Sequence, residues 1–414
     1  MSTLLITDIK ALFGTHSPDT KLLRGLSMSS LPHQNNSWLL IEDGLFKDFG
    51  DMSDMPPHLA NITIQISAKD KFILPAWCDS HTHLVFAASR EEEFVMKIKG
   101  QSYEEIAAAG GGILNSARKV QQASEEELFE SAEQRLNEVI RLGTGAIEIK
   151  SGYGLTVASE LKMLRVIRKL KERAAIPVRA TFLGAHAFPS EFKTNHEGYV
   201  NILIEELVPL IADEGLAEYI DAFCEEGFFS VEETARILEA GAKHGLKAKI
   251  HANQLSAMGA VETGVDHDAL SVDHLEVMNE SALQSLKHSK TIATLLPSCS
   301  LFLGIPFANA RSMITQNIPV AIASDFNPGS TPSGNMNLVV SLACMRLKML
   351  PEEAINAATL NGAAAMELSE SYGSITRGKV ANFFITKPIP SVSYLPYSFG
   401  SNLIESVFIN GKIY

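Results

Sequence analysis

The chain has 414 residues, of which 46% are hydrophobic, and a formal net charge of −13. This length allows one large domain with an appendage or two to three smaller domains. The acidic balance, without a long run of lysine or arginine, disfavours binding to nucleic acid or to an anionic membrane. Four dispersed cysteines without a CxxC pattern, and the lack of a run of eighteen apolar residues, predict a cytoplasmic protein with reduced thiols.

The two ends of the chain are similar to each other and differ from the middle. Residues 1–70 contain short β-rich stretches, such as LLITDI and ITIQIS, punctuated by glycine and proline. Residues 371–414 show the same character and contain the turn signal NGK. We therefore expect both ends to be mainly β-structure.

The middle of the chain alternates between apolar strand candidates and helical stretches. The eight strand candidates are, in chain order, FILPAWCDSHTHL, TGAIEIKSGYG, IPVRATFLGAH, YIDAFCEEG, KAKIHANQ, ALSVDHLE, TIATLLPSCS and IPVAIASDFNPG. Helical stretches such as SEEELFESAEQRLNEVIRLG and SVEETARILEAGAKHG lie between them, and the second ends in a glycine C-cap signal. This alternation predicts a parallel α/β sheet closed into a (β/α)8 barrel over residues 71–370.

Polar side chains follow most of these strand candidates. The active sites of such barrels lie at the carboxyl ends of the strands, so these side chains are expected to converge there. They are His81, His83, Lys150, Tyr153, His186, Cys224, Glu225, Glu226, His251, Gln254, His274, Asp325 and Asn327. Burying so many polar groups is costly unless they have a use, which favours a functional site.

The spacing of two histidines predicts a metal site. His81 and His83 are two residues apart, so on a strand they point to the same face. His251 and Asp325 reach the same end of the barrel from the fifth and eighth strand candidates. Three imidazoles and one carboxylate suit Zn²⁺ or Fe²⁺ better than Ca²⁺ or Mg²⁺, which prefer oxygen ligands. Such an ion can make hydroxide available near neutral pH.

Each of these residues alone also has a purely structural interpretation. An isolated HxH pair often arises by chance, and His186 could be a packed histidine. Asp325 could be a turn residue before FNPG, and Lys150 could belong to a satisfied ion pair. The AGGGI stretch at 109–113 does not follow a strand in a GxGxxG frame, so it is interpreted as a flexible loop or a helix stop.

Several motifs together resemble the imidazolonepropionase family of the amidohydrolase superfamily. They are DSHTHLVFAASREEEF, SYEEIAAAGGGI, IEIKSGYGL, TFLGAHAFP, HANQLS, SVDHLE and ASDFNPGS, in the family's order and spacing. HxH is specific only for the superfamily, whereas SREEEF with KSGYGL and SDFNPGS is specific for the family. The resemblance implies an amidohydrolase-type barrel, with residues 1–70 and 371–414 forming a small composite β-sandwich.

The resemblance also implies an activity. Members of that family hydrolyse the cyclic amide of 4-imidazolone-5-propanoate to N-formimidoyl-L-glutamate in histidine degradation, with one zinc or iron ion. The implied ligands are His81, His83, His251 and Asp325. Bimetallic relatives carry a bridging lysine on the fourth strand, and YIDAFCEEG has none, so one metal ion is expected.

Further residues are assigned by the same resemblance. The implied substrate-binding residues are Arg90, Tyr153, His186, Gln254, Asn327, Gly329 and Ser330. The implied catalytic residues are His274, Asp325 and Gln254. Arg90 would bind the propionate carboxylate, because a planar guanidinium pairs well with a carboxylate.

The expected proton transfers involve His274 and Asp325. His274 is the candidate to deprotonate the water, Asp325 to pass a proton to the departing nitrogen, and His186 to help hold the oxyanion. Gln254 stands where some relatives have glutamate, and glutamine cannot shuttle a proton, so it is expected to orient the substrate. Asn382 replaces the aspartate of many superfamily members, outside the expected site.

Two other functions stay open from the sequence. A deaminase acting on cytosine, guanine or a triazine would share the metal ligands, although such enzymes often carry glutamate at the position of Gln254. A catalytically inactive barrel serving as a scaffold is the other alternative, but it would usually have lost metal-binding histidines. A small-molecule substrate and a homodimer are the partners expected from the resemblance.

Overall fold

The computed structural model describes residues 3–101, 105 and 111–414. Most of the SYEEIAAAGGGI motif, including the start of the predicted loop at 109–113, therefore lies outside the described residues. Within the described ranges, each helix is too short or too polar to cross a lipid bilayer.

The described strands form two sheets of eight strands each. The strands are β1 Thr3–Phe13, β2 His33–Glu42, β3 Leu45–Asp51, β4 Gln65–Ser67, β5 Phe72–Pro75, β6 Trp77–Asp79, β7 Thr144–Lys150, β8 Val178–Ala185, β9 Tyr219–Cys224, β10 Lys247–Ala252, β11 Ser271–His274, β12 Ile292–Leu295, β13 Val320–Ile322, β14 Phe383–Thr386, β15 Ile404–Ile409 and β16 Lys412–Ile413.

Strands β6 to β13 form the barrel, and all neighbouring pairs are parallel. The first and last strands meet just beyond their carboxyl ends, where Thr82 and Phe326 form a parallel bridge. There the backbone N–H of Asp325 donates to the carbonyl of His81 at 3.0 Å. The predicted (β/α)8 barrel is confirmed, and its closure places the two ends of the expected site next to each other.

The second sheet combines both ends of the chain, in the order β16-β15-β14-β5-β1-β2-β3, with β4 paired to β1. Its own apolar core includes Ile6, Leu39, Phe383 and Phe408. Residues far apart in sequence thus share one core, because β5 pairs with β1 on one side and with β14 on the other. This sheet fits the small β-sandwich that the resemblance implies.

The transition between the sheets differs from the prediction. FILPAWCDSHTHL was expected to form one barrel strand beginning near residue 71, but β5 belongs to the terminal sheet and only β6 belongs to the barrel. The backbone N–H of Ala76 donates to the carbonyl of Asn382, whereas that of Trp77 donates to Gly143. The chain therefore changes sheets at Ala76, which an uninterrupted apolar run does not show.

Helices separate most of the barrel strands. They are α1 Glu91–Ile98, α2 Ile113–Gln122, α3 Glu125–Arg141, α4 Val157–Arg173, α5 His196–Asn201, α6 Val208–Glu214, α7 Val231–Lys243, α8 Ala260–Asp266, α9 Glu280–Lys287, α10 Pro297–Leu303, α11 Ala310–Thr315, α12 Met336–Met345, α13 Pro351–Ala358, α14 Leu360–Ala364 and α15 Tyr394–Tyr397, with a π-helical turn at Ile202–Leu207.

The two helices quoted from the sequence are confirmed, and their ends have local causes. Ser124 begins α3 and Ser230 begins α7, each with a capping box to the glutamate three residues later. After α7, Gly245 has a φ of +81°, a left-handed conformation that glycine adopts without steric cost. These caps fix the lengths of the crossovers between barrel strands.

Candidate metal centre and active site

Three histidines and one aspartate converge at the carboxyl end of the barrel. Nε2 of His83 lies 3.3 Å from Nε2 of His81 and 3.4 Å from Nε2 of His251. Oδ1 of Asp325 lies 3.5 Å from Nε2 of His81 and 3.6 Å from Nε2 of His83. All four side chains are buried. The structure thus brings together the four residues that the sequence analysis named as candidate metal ligands.

Two buried carboxylates orient these imidazoles. Asp273 Oδ2 accepts a hydrogen bond from Nδ1 of His81 at 2.6 Å, and Asp221 Oδ1 accepts one from Nδ1 of His251 at 3.1 Å. With the hydrogen on Nδ1, each ring presents the Nε2 lone pair to the centre of the cluster. Neither aspartate was among the predicted site residues.

The cluster fits a bound cation. Burial, reinforced by neighbouring cationic groups, holds the pKa values of His81 and His83 well below the ordinary histidine value, so both rings are neutral. A cation between Nε2 of His81 and Nε2 of His83, which lie 3.3 Å apart, would be bound by both rings. Ligand atoms around a tetrahedral ion with bonds of about 2.0–2.1 Å lie roughly 3.3–3.4 Å apart. The donor set therefore suits a divalent ion of the zinc or iron type.

His274 adjoins the cluster. It is the last residue of β11, and a ring nitrogen lies within 4.8 Å of ligand atoms of His81 and His251. Its Nδ1 is 3.6 Å from Oε2 of Glu276, too far for a hydrogen bond but close enough for strong electrostatic attraction. Burial opposes protonation of His274, but Glu276 and the nearby aspartates outweigh it and raise the pKa of the ring.

Three residues with left-handed backbone conformations lie at the same place. His274 has a φ of +88°, Leu275 of +67° and Asp325 of +55°. Residues other than glycine rarely adopt these left-handed conformations, which persist where the surrounding structure enforces them. The three residues lie at the end of β11 and shortly after β13, where the side chains of His274 and Asp325 meet the cluster.

The loop after β13 holds Asp325 in place. Asn327 Nδ2 donates to Asp325 Oδ1 at 3.0 Å, and Ser330 Oγ donates to Asp325 Oδ2 at 3.3 Å. Asn327 Oδ1 in turn accepts the backbone N–H groups of Gly329 and Ser330, each at 2.8 Å. Burial raises the pKa of Asp325, while His274 and His251 act in the opposite direction. The predicted substrate-binding loop thus also positions a candidate metal ligand.

A cavity of about 280 Å³ lies directly beside the cluster. It is lined by His83, Arg90, Lys97, Ile113, Tyr153, His186, Phe223, Phe228, His251, Gln254, Leu255, His274, Leu303, Asp325, Asn327, Gly329 and Ser330. Every residue predicted to bind substrate is among them, and aromatic rings form one wall. On that wall the rings of His83 and His186 are stacked, with centroids 5.2 Å apart and an interplanar angle of 18°.

The protonation of His186 follows from its surroundings. Its Nδ1 lies 3.1 Å from the carbonyl oxygen of Gly152, so Nδ1 carries the hydrogen and donates it. Burial lowers the pKa of His186 to about 3, so the ring is neutral. Nε2 is therefore left with a lone pair and can only accept a hydrogen bond.

Arg90 lies at the cavity with a partner that the sequence did not predict. Its Nε and Nη2 donate to the same oxygen of Glu93, at 2.9 and 2.5 Å. The other oxygen of Glu93 accepts the backbone N–H of Gly112 at 3.0 Å. A side chain at Gly329 would collide with Nη1 of Arg90, so this nitrogen lies against the loop after β13.

Lys97 is a cavity-lining cation that the sequence analysis missed. It lies seven residues after Arg90, two helical turns along α1, and that spacing places both cations on one face. Desolvation and the Arg90 guanidinium lower the pKa of Lys97. The i, i+7 spacing was the signal in the sequence.

Three further residues named in the sequence analysis have contacts that the structure defines. Glu225 accepts the backbone N–H of Leu255 at 2.9 Å and the hydroxyl of Ser256, so it holds the loop after β10. Gln254, on that loop, lines the cavity and donates to the thiol of Cys299 at 3.4 Å. Asn382 donates to the carbonyl of Gly145 at 2.9 Å, which ties the terminal sheet to β7 away from the cavity.

Comparison with known proteins places this chain in a family. The Amidohydrolase family matches residues 72–414. Imidazolonepropionase of Christiangramia forsetii is 58% identical over 411 residues, covering 99% of this chain and all of the relative. Imidazolonepropionase of Flavobacterium johnsoniae is 56% identical, covering 99% of both chains.

Solved structures support the fold. Guanine deaminase of E. coli superimposes with a TM-score of 0.75 at 15% identity, covering 100% of this chain and 99% of that one. An adenosine deaminase from Xanthomonas campestris with bound zinc gives a TM-score of 0.68 at 16% identity, covering 99% and 92%. With relatives above 50% identity over their full length, the chain belongs to the imidazolonepropionase family of the amidohydrolases.

Proposed function

We propose that this chain hydrolyses the cyclic amide of 4-imidazolone-5-propanoate to N-formimidoyl-L-glutamate, using one zinc or iron ion. The observation that carries the proposal is the cluster of three imidazoles and a carboxylate beside a ring-sized cavity with cations at its edge. Water adds to the ring carbonyl carbon, the bond from that carbon to the ring nitrogen breaks, and the nitrogen takes up a proton.

His81, His83, His251 and Asp325 would hold the ion. When bound there, a divalent ion lowers the pKa of a water molecule and polarises a carbonyl group. The chain's own residues then have to orient the ring, bind its carboxylate and move protons.

His186 and Tyr153 form the part of the wall that would orient the ring. The Nε2 lone pair of His186 accepts a hydrogen bond, so it is suited to a ring N–H of the substrate. It is not suited to hold a developing oxyanion, which needs a donor. The role expected for His186 in the transition state is therefore replaced by a role in orienting the substrate.

His274 and Asp325 are the candidates for proton transfer. Both are buried, line the cavity and lie beside the imidazole cluster. His274 would take one proton from the attacking water, and Asp325 would take the second proton from the same oxygen after the attack and deliver it to the departing ring nitrogen. Gln254 also lines the cavity but has no titratable proton, so it would hold the substrate by hydrogen bonds.

Arg90→Ala is expected to lower kcat/KM. The loss should correspond to about 2–4 kcal/mol of transition-state stabilisation, the range for truncating one member of a buried charge pair. Nη1 of Arg90 lies against the loop after β13, and the loss of Arg90 would also remove the ion-pair partner of Glu93. Arg90→Lys should recover only part of the loss, because a single ammonium cannot form the fork to Glu93. Steady-state kinetics measures both, and unchanged kcat/KM in Arg90→Ala would refute the assignment.

Lys97→Ala is expected to raise KM by about 2–5-fold with little change in kcat, the scale of a solvent-exposed ion pair. Arg90 is already compensated by Glu93, so Lys97 supplies net positive charge toward the substrate carboxylate. Lys99→Ala is the matched control on the same exposed segment. Equal kinetic effects of the two variants would argue against a specific role for Lys97.

The activity itself is tested by incubating the purified protein with 4-imidazolone-5-propanoate. We expect loss of the ring absorbance and stoichiometric appearance of N-formimidoyl-L-glutamate without free ammonia. Ammonia release would support the deaminase alternative, and a metal-free, inactive preparation would support the scaffold alternative. A cytoplasmic location and a homodimer stay predictions, the second to be checked by sedimentation velocity.

A further inference from the structure

A network of charged side chains fills the barrel interior beneath the imidazole cluster. It consists of Glu148, Lys150, Asp221, Lys249 and Asp273, whose side chains are fully buried. These residues come from four strands of the barrel, the neighbouring β9, β10 and β11 and, beyond β8, β7. Isolated charges are very costly to bury, and each of these five lies near an opposite charge within the network.

The two lysines of this interior charge network differ in their partners. Lys150 Nζ lies 2.6 Å from Glu148 Oε1, 2.8 Å from Asp221 Oδ2 and 3.7 Å from Asp273 Oδ2. Lys249 Nζ contacts Glu148 and the carbonyl oxygens of Ser80 and Ala365. Only Lys150 therefore reaches both aspartates that orient metal-site histidines.

The connection from Lys150 to the imidazoles is short on both sides. Asp273 contacts both the Lys150 ammonium and Nδ1 of His81. Asp221 contacts both the Lys150 ammonium and Nδ1 of His251. One ammonium group thus stands behind two of the three histidines, which come from the first and fifth barrel strands. A displacement of this ammonium group would therefore change the orientation of both imidazole rings together.

We propose that Lys150 is a positioning residue that couples His81 and His251 by holding Asp221 and Asp273 against their Nδ1–H groups. Lys150 touches neither the cavity nor the ligand atoms, so it acts through the two carboxylates. The inference rests on the part of the proposed function that assigns a metal ion to this cluster.

The electrostatics agree with this geometry. Burial opposes the charge on Lys150, but the three carboxylates outweigh it and raise its pKa above the ordinary lysine value. Burial likewise opposes the charge on Asp221, but His251 and Lys150 outweigh it and hold its pKa below the ordinary value. Without Lys150, both aspartates would lose their shared cation and could turn away from the histidines.

Lys150→Met and Lys249→Met form a matched pair of variants, since each removes one buried ammonium that contacts Glu148. The dissociation constant for Zn²⁺ alone is measured by competition with a chromogenic chelator, and the visible spectrum of the Co²⁺-loaded protein reports the ligand geometry. We expect Lys150→Met to bind Zn²⁺ about 10–100-fold more weakly, the usual effect of losing an outer-shell partner, and to change the Co²⁺ spectrum. Lys249→Met should stay close to wild type in both.

A second variant guards against a failure of Lys150→Met to fold. The interior charge network has two lysines and three carboxylates, a formal charge of −1, and Lys150→Met/Glu148→Gln preserves that charge. It should fold, as circular dichroism would show, and still bind Zn²⁺ weakly. Wild-type affinity in either Lys150 variant, or an equal loss in Lys249→Met, would overturn the proposal. Because no substrate is used, a failed ring-opening assay with these metal results intact would count against the proposed function alone.

Discussion

Asp325→Asn is expected to lower kcat by about 10⁴-fold or more, the upper end of the range for a positioned acid–base group. The loss should be this large because one carboxylate lies within 3.6 Å of two imidazole nitrogens and also faces the cavity. The amide keeps the size of the side chain but lacks its negative charge and its titratable proton. Steady-state kinetics of the purified variant measures the loss of kcat, and elemental analysis measures any loss of bound metal.

Asp273→Asn is the control for this prediction. Asp273 contacts His81 from behind and does not line the cavity. Its loss should weaken metal binding by about 10–100-fold, yet activity should return when excess metal is supplied. Activity of Asp325→Asn should not return under the same conditions. Recovery of Asp325→Asn by excess metal would show that the carboxylate is a ligand without a role in proton transfer.

His274→Ala is expected to reduce kcat by about 10²–10⁴-fold, the usual contribution of a positioned acid–base group, with the metal content unchanged. The ring is buried at the cavity beside His81 and His251, where it would face a water molecule bound to an ion in the cluster. Loss of metal from His274→Ala, with activity restored on reconstitution, would instead make His274 a supporting residue, and the base role would pass to Asp325.

Glu276→Gln tests how His274 is tuned. The Glu276 carboxylate, 3.6 Å from Nδ1 of His274, contributes to the raised pKa of that ring. Its removal should lower the pKa of His274. Because a general base acts in its deprotonated form, the acidic limb of the kcat/KM profile should move to lower pH in Glu276→Gln. A profile that is unchanged or displaced to higher pH would contradict this assignment.

The barrel and the main residues of the site could be predicted from the sequence. Alternation of apolar strands with amphipathic helices is a local property, and eight such units have few ways to pack other than a closed parallel sheet. Closure then brings the carboxyl ends of all strands together, so His81, His83, His251 and Asp325 could be placed at one site before any distance was known.

The tertiary structure alone decided how these residues are supported. An uninterrupted apolar run cannot show that the chain changes sheets at Ala76, because both parts are equally buried. The polar residues within strands, such as Asp221 and Lys249, look isolated in the sequence, and only pairing between strands reveals their partners. The same holds for Arg90, whose partner Glu93 is anchored by Gly112, and for His186, whose hydrogen is fixed by the carbonyl of Gly152. Side-chain partners and protonation depend on distances across the fold, whereas the order of strands and helices depends on neighbours along the chain.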